Sequence, residues 1–305
     1  MSNENLSPEQ VLAVNGESFF WAKRFLGPKM GKDAARLYSF CRILDDMADG
    51  DIVNGPKRLE VIYSELGNGN FNSDPVLTNF KPLFDDYNLP ADVVLALIDG
   101  LLDDQRVPVL IDNEEDLLRY AYKVAGTVGL MMCNVLRCND YSAKRHAIDL
   151  GIAMQLTNIA RDVLEDAQMG RRYIPGNWIN NMTPSEIIDA SNDPNSEESK
   201  MVVAAIKRIL GLAEVFYRSG HKGLSYLPFR AHLSISVAAK VYRQIGIQLE
   251  NSGLNWYDGR HSTTKLRKFI CTFKATFNLL TRLSLKKKSH NTSLHSKLEG
   301  LPFVG

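Results

Sequence analysis

The stretch Phe40-Cys41-Arg42-Ile43-Leu44-Asp45-Asp46-Met47-Ala48-Asp49 places three carboxylates and an arginine inside an apolar, helix-forming run. Tyr38, Arg42, Asp45 and Asp49 are spaced 4, 3 and 4, so a helix carries all four on one face, with Asp46 at its edge beside Arg42. Leu37, Phe40, Cys41 and Leu44 supply apolar packing around that face. Asp45 and Asp49 stand one turn apart, roughly 6 Å along the axis. Two unpaired carboxylates at that separation repel each other, more strongly when buried, and a divalent cation between them removes the conflict.

A second stripe lies in "DLGIAMQLTNIARDVLEDAQMGRRYIP", where Gln155, Asn158, Asp162 and Asp166 are spaced 3, 4 and 4. Ile152, Leu156, Ile159 and Val163 form a separate apolar face of the same segment. Arg161 and Glu165 flank the acidic stripe, and Arg171 and Arg172 follow it. Carboxylates and one amide, with no His or Cys nearby, favour a hard cation: Mg²⁺, with Mn²⁺ as the alternative. Mg²⁺ is usually held by few carboxylates plus substrate phosphates, and neighbouring arginines suit bidentate binding of phosphate oxygens. A single i, i+4 aspartate pair reads equally as a solvated helix surface. Two matched stripes, each with arginine and each within apolar sequence, favour the metal and phosphate reading. Asp99, Asp103 and Asp104 form a third acidic group for which the surface reading is favoured. Arg42 stands between two roles, a phosphate clamp or a surface ion pair with Asp46.

The elements that would position these residues read as helices throughout, without convincing strand alternation. The spacing predicts helices at about 17–27, 32–49, 55–66, 90–103, 114–138, 143–168, 199–220, 230–251 and 263–285. A polar connection is expected over 176–198. The architecture expected is a single all-α domain over 1–305, with long helices around a central apolar cavity and a basic segment, about 286–305, peripheral to it. The chain has 305 residues, 45% hydrophobic and 23% charged, which suits a soluble globular protein with a substantial core. It has no apolar run long enough to span a bilayer, and "MSNENLSPEQ" is unlike a secretory signal. Cys41, Cys133, Cys138 and Cys271 show no metal-type pairing, so a reducing cytoplasmic location is expected.

The net charge of +1 hides an asymmetry, because Arg260 to Lys297 carries ten Lys or Arg and no Asp or Glu. Phe269, Ile270, Phe273, Phe277 and Leu280 interleave there with Lys268, Lys274 and Arg282. That pattern fits either peripheral contact with the anionic inner face of a membrane or, for its first half, core packing. No nucleic-acid recognition motif accompanies it, and no nucleic-acid partner is expected.

Taken together, "ESFFWAKRFL", "LYSFCRILDDMAD", "YKVAGTVG", "LGIAMQLTNIARDVLEDAQMGRRYIP" and "VYRQIGIQLE" resemble the squalene and phytoene synthases, most closely the bacterial-type phytoene synthases. The resemblance runs from about Ser18 to Arg267; Ala160 departs from the leucine common at its position, on the apolar side of the second motif. It implies an isoprenoid synthase fold and head-to-head joining of two prenyl diphosphates. It also implies that Asp45, Asp49 and, at the edge, Asp46 resemble first-motif Mg²⁺ ligands, and that Asn158, Asp162 and Asp166 resemble those of the second. Ser18, Tyr38, Arg42 and Arg161 match positions near the diphosphates, and Tyr242 and Arg260 match groups that reach them from the C-terminal helices. Tyr122, Val124, Ala125 and Gln155 match the channel wall, with Tyr122 taken among the catalytic residues.

The implied reaction joins two geranylgeranyl diphosphates through a cyclopropyl diphosphate to phytoene, without NADPH. The alternative is a squalene-type enzyme using two farnesyl diphosphates and ending at presqualene diphosphate, squalene or dehydrosqualene. Retention of both aspartate stripes argues against family relatives that have lost them and serve in assembly.

Overall fold

The computed structural model describes residues 3–106, 108–138, 140–258, 270–273, 275 and 289–304. Its helices are α1 (Pro8–Asn15), α2 (Glu17–Lys23), α3 (Pro28–Ala48), α4 (Gly55–Gly67), α5 (Pro75–Asp86), α6 (Ala91–Asp103), α7 (Glu114–Ala121), α8 (Thr127–Val135), α9 (Tyr141–Arg161), α10 (Val163–Gln168), α11 (Pro184–Ser191), α12 (Glu197–Gly223) and α13 (Phe229–Asn251). The all-α expectation holds among the described residues, apart from a two-residue parallel pairing of β1 (Val109–Leu110) with β2 (Arg171–Arg172).

Helix α9 is the axis of the molecule and packs against α8, α12 and α13. Ala143, Ile148, Ile152, Ala153, Leu156 and Ile159 are buried on several of its sides, as befits a central helix. Its neighbours approach closely where they carry glycine. A Cβ on Gly129 of α8 would overlap the Ala147 carbonyl oxygen, and one on Gly220 of α12 would sit 2.8 Å from the Leu150 Cβ. Gly151 of α9 itself lies against the Ala125 carbonyl. Backbone cannot step aside as a side chain can, so Gly151→Ala is expected to destabilise by about 3 kcal/mol. Gly211 lies within α12 with nothing near its missing Cβ, and Gly211→Ala should stabilise by about 0.5–1 kcal/mol. Thermal unfolding of the two variants checks this pair; equal shifts would contradict the close approach at Gly151.

Several boundaries differ from the spacing-based expectation. The 114–138 segment is interrupted by a π-helical turn, Tyr122–Gly126, between α7 and α8. The 143–168 segment breaks at Asp162, whose φ of −103° and ψ of 16° end α9 and begin α10. Within the expected 176–198 connection, Thr183 and Glu186 form a capping box that starts α11, and Ile187 and Ala190 of that helix are buried. Helices α1 and α5 start at Pro8 and Pro75 behind the caps Ser7 and Asp74. Arg172, expected near phosphate, is a buried strap instead, donating to the carbonyls of Met182 and Ile111 at 3.1 and 3.0 Å.

Residues 289–304 of the C-terminal segment dock on the helical body. Leu298 and His295 are buried, Lys297 Nζ lies 2.6 Å from Glu114, and Arg119 donates to the carbonyls of Lys297 and Glu299. These contacts satisfy the backbone of an irregular segment that the basic composition alone presents as solvated. Of the preceding interleaved run, Cys271 is buried while Ile270 and Phe273 are exposed. Phe269, Phe277, Leu280, Lys268, Lys274 and Arg282 lie outside the described residues, as does the 263–285 helix apart from 270–273 and 275. Among the described residues no helix is long and apolar enough to cross a membrane.

Candidate active site

A cavity of about 660 Å³ runs beside α9. Its polar end is lined by Ser18, Tyr38, Arg42, Asp45, Asp104, Asn158, Arg161 and Tyr242. Its opposite end is lined by Leu136, Ala143, His146, Ala147, Leu224 and Leu227. From Asn158 to Ala143 the α9 wall extends roughly 22 Å at helical rise. The volume falls within the range of ligand sites, and the long apolar interior behind a charged end fits an amphiphile.

The α3 face of the polar end follows the helical spacing, whereas α9 ends at Asp162, so that Asp162 and Asp166 leave the face that Gln155 and Asn158 share. Tyr38, Arg42 and Asp45 come from successive turns of α3, while Gln155, Asn158 and Arg161 come from α9. Val124 and Ala125 line the interior from the π-turn. Tyr242 of α13 stacks near Phe19, with ring centroids 5.0 Å apart. Asp45, Asp46, Asp49 and Asp162 are each held by an arginine. Arg42 lies 2.7 Å from Asp45 and 2.6 Å from Asp46, Arg171 donates to Asp49 at 2.7 Å, and Arg161 holds its neighbour Asp162 through two nitrogens.

Burial pushes three carboxyls upward. Desolvation is the largest cause for each, followed by opposing effects of nearby arginines or tyrosines and by other aspartates. Asp45 is raised to about 7, Asp104 to about 6 and Asp166 to about 8. Asp45 still meets water inside the cavity, its side chain being 41% exposed. The same couplings join the two stripes, since Asp104 acts on both Asp45 and Asp166, and Arg171 acts on Asp104 and Asp166. Among the described residues, no three of these carboxylates draw their oxygens as close as the donors around one chelated ion.

Five assigned residues do not line the cavity, and two of them, Asp46 and Tyr122, are turned elsewhere. Asp46 is 3% exposed and faces the N-terminal segment, where Asn3 donates to it at 2.6 Å. Tyr122 is fully buried on the far side of the π-turn, and its hydroxyl donates to the Pro302 carbonyl. Tyr120, four residues before Val124 and so on the same helical face, lines the cavity instead. Tyr120 and Tyr173 stack with centroids 4.7 Å apart and donate to the two oxygens of Asp104 at 2.8 and 2.7 Å. Asp104 thus belongs to the site, whereas Asp99 and Asp103 are paired with Lys123. Asp162, Asp166 and Asp49 sit behind the cavity wall rather than on it, Asp166 in a small cleft with Arg171 and Tyr173. Arg260 lies outside the described residues.

The donor set fits a hard cation. It is all oxygen, burial and crowding raise its Asp45 and Asp166 carboxyls, and the buried Asn158 Oδ1 has no hydrogen-bond partner. A carboxyl whose folded pKa exceeds its unfolded value of 3.8 stabilises the fold only while protonated. The contribution is complete below about 4 and is lost as pH rises through the folded values of about 6 to 8. The metal-free protein should therefore lose thermal stability between pH 5 and pH 8.5, and millimolar Mg²⁺ should restore more of it at the higher pH. A Mg²⁺ effect independent of pH would contradict these shifts.

The sequence profile of the Squalene/phytoene synthase family matches residues 12–268. The chain is 31% identical over 296 residues to the 15-cis-phytoene synthase of Pantoea ananas, covering 92% of this chain and 94% of that one. It is 32% identical over 281 residues to the 15-cis-phytoene synthase of a Paracoccus species, covering 88% and 89%. Among solved structures, a dehydrosqualene synthase superposes with a TM-score of 0.76 at 24% identity, covering 90% of this chain and 95% of that one. Squalene synthase HpnC from Alicyclobacillus acidocaldarius gives a TM-score of 0.67 at 22% identity, with 81% and 93% covered. The structural likenesses speak to the fold.

Proposed function

The chain belongs to the squalene/phytoene synthase family, and from that premise we propose that it is a Mg²⁺-dependent, phytoene synthase-like prenyltransferase. It joins two geranylgeranyl diphosphates head-to-head through a cyclopropyl diphosphate, releasing both diphosphates and a proton. The observation that carries the reading is one continuous cavity with arginines and raised carboxyls at one end and apolar walls at the other.

Asp45 and Asn158, with Asp49, Asp162 and Asp166 behind them, would hold the ions. Bound Mg²⁺ supplies the neutralisation that lets a diphosphate leave an allylic carbon. Arg42, Arg161 and Arg171 can exchange a carboxylate for phosphate oxygens, with Ser18, Tyr38 and Tyr242 as further contacts at the cavity's polar end. Loss of the diphosphate leaves an allylic cation that water would capture, so the interior must exclude water. Val124, Ala125 and Gln155 form part of that wall. The Tyr120 ring lies in the cavity wall with its hydroxyl held by Asp104, so an aromatic surface is offered to the cation while the oxygen is occupied.

The test is incubation of the purified protein with Mg²⁺ and either geranylgeranyl or farnesyl diphosphate, with and without NADPH, followed by identification of the hydrocarbon. Phytoene from the longer substrate, independent of NADPH, is expected. A preference for farnesyl diphosphate would overturn the chain-length assignment and move the protein to the squalene side of the family. The exposed Ile270 and Phe273 support peripheral contact of the preceding basic run with anionic lipid.

A further inference from the structure

Three of the six histidines in the chain meet at one place, far from both aspartate stripes. His146 comes from α9, twelve residues before Asn158 and hence roughly 18 Å away along the axis. His290 and His295 come from the docked C-terminal segment. Their rings are grouped, with centroids 5.1 Å apart for His146 and His290 and 4.4 Å apart for His290 and His295. Between them stands Asp149 of α9, which is fully buried. Its Oδ2 lies 2.8 Å from His290 Nε2, and its Oδ1 lies 2.7 Å from His295 Nε2. His146 Nδ1 is 3.3 Å from Ser219 Oγ.

The cluster is also shielded from water, the His290 side chain being only 2% exposed. One ligand atom each from His146, Asp149 and His290 can be chosen so that all three lie within 4.8 Å of one another. Donors around a tetrahedral ion with bonds of about 2.0–2.1 Å stand roughly 3.3 Å apart, so modest ring rotations would close the set.

We propose that His146, Asp149 and His290 form a site for a transition-metal dication of the zinc class, with His295 orienting the Asp149 carboxylate from outside the ligand set. Two imidazoles and a carboxylate are borderline donors that suit zinc and exclude Mg²⁺ as the preferred occupant. An imidazole N–H on the second carboxylate oxygen is the usual device for fixing a ligand's orientation. The site ties residues 289–304 to α9. Because His146 also lines the apolar end of the cavity, it fixes that end too. The inference does not depend on the proposed reaction.

The test uses untagged, full-length protein and Zn²⁺ alone, with affinity measured against a chromogenic chelator and stoichiometry by elemental analysis. One equivalent bound in the submicromolar range is expected, and Co²⁺ in its place should give the visible absorption of a low-coordinate nitrogen and oxygen site. His290→Ala and His146→Gln should each weaken Zn²⁺ by at least about a hundredfold, and His295→Gln by about tenfold. The doubly substituted Asp45→Asn, Asp166→Asn protein should keep the site, which separates it from the aspartate stripes and from the fate of the proposed function. Should His290→Ala or His146→Gln unfold the chain, the Co²⁺ spectrum of the unsubstituted protein decides alone. Failure to bind Zn²⁺ below about 10 μM, unchanged binding in folded His290→Ala, or loss in the double aspartate variant would each overturn the proposal.

Discussion

Asp166→Asn is expected to lower turnover by a thousandfold or more while leaving the metal-free protein at least as stable as before. The loss follows from removing a charged oxygen near the cations that neutralise the departing diphosphate, where about 4 kcal/mol of transition-state stabilisation corresponds to a thousandfold. The stability half of the expectation is the more discriminating. Burial and the neighbouring Asp162, Asp104 and Glu165 push the Asp166 carboxyl up to about 8, against the opposing pull of Arg171. An uncharged amide removes that conflict, so the metal-free variant should melt no lower than the parent at pH 8.5. Its stabilisation by Mg²⁺ should shrink. Asp45→Asn, Asp49→Asn and Asp162→Asn should share the turnover loss. Their arginine partners make the stability outcome less simple, because Arg42, Arg171 and Arg161 each lose a charged contact. Near-normal turnover in folded Asp166→Asn protein, measured at saturating substrate, would remove the carboxylate from the metal site.

Ala147→Phe should separate the two candidate chain lengths. Ala147 lines the apolar end of the cavity beside Ala143, Met132 and Leu136, and its carbonyl is fixed against Gly129. A phenyl group there has little freedom to withdraw, because the backbone that carries it cannot move away from α8. Overpacking of this kind costs about 1–3 kcal/mol, which at the upper end is about a hundredfold in kcat/KM. Geranylgeranyl diphosphate, whose tail must reach furthest from the arginines, should bear that loss, and farnesyl diphosphate should be nearly unaffected. The comparison is kcat/KM for both substrates in parent and variant. No loss for either would mean that neither tail extends to Ala147, and an equal loss would mean that the site does not separate the two chain lengths.

Much of the site was legible because helical spacing alone determines which residues share a face. Tyr38, Arg42 and Asp45 needed only the 3.6-residue period of α3, and Gln155, Asn158 and Arg161 only that of α9. Tyr122 is assigned by the family resemblance rather than by spacing, and two residues before Val124 it falls about 200° round a helix, on the opposite face. A π-turn is defined by where one backbone N–H finds its acceptor, here Thr127 to the Tyr122 carbonyl, and side-chain pattern does not announce it. Asp104 was discounted because Asp99 and Asp103 beside it do form a surface group; its two tyrosine partners come from α7 and from just after β2. Pro184 marks a helix start inside the otherwise loop-like 176–198 stretch, and Thr183 and Glu186 complete that signal as a capping box. The docking of residues 289–304 rests on contacts with α7 and α9 more than a hundred residues earlier, which no local pattern carries.

The pairing of each arginine with a carboxylate bears on how ligands enter. Arg42 holds Asp45 and Asp46, Arg161 holds Asp162, and Arg171 holds Asp49, so these cationic and anionic groups neutralise one another. A metal ion arriving alone must take carboxylates from arginines and leave those arginines without a counter-charge. A diphosphate arriving alone does the converse. When both arrive, the released carboxylates and the released arginines each find a partner, and neither cost remains. Metal and diphosphate affinities are therefore reciprocally linked, each raising the other by the same factor. Inorganic pyrophosphate should tighten Mg²⁺ binding as much as Mg²⁺ tightens pyrophosphate, which paired calorimetric titrations can read. Under the proposed function, either ion alone should bind weakly, since it breaks arginine–carboxylate pairs and leaves one partner of each without a counter-charge.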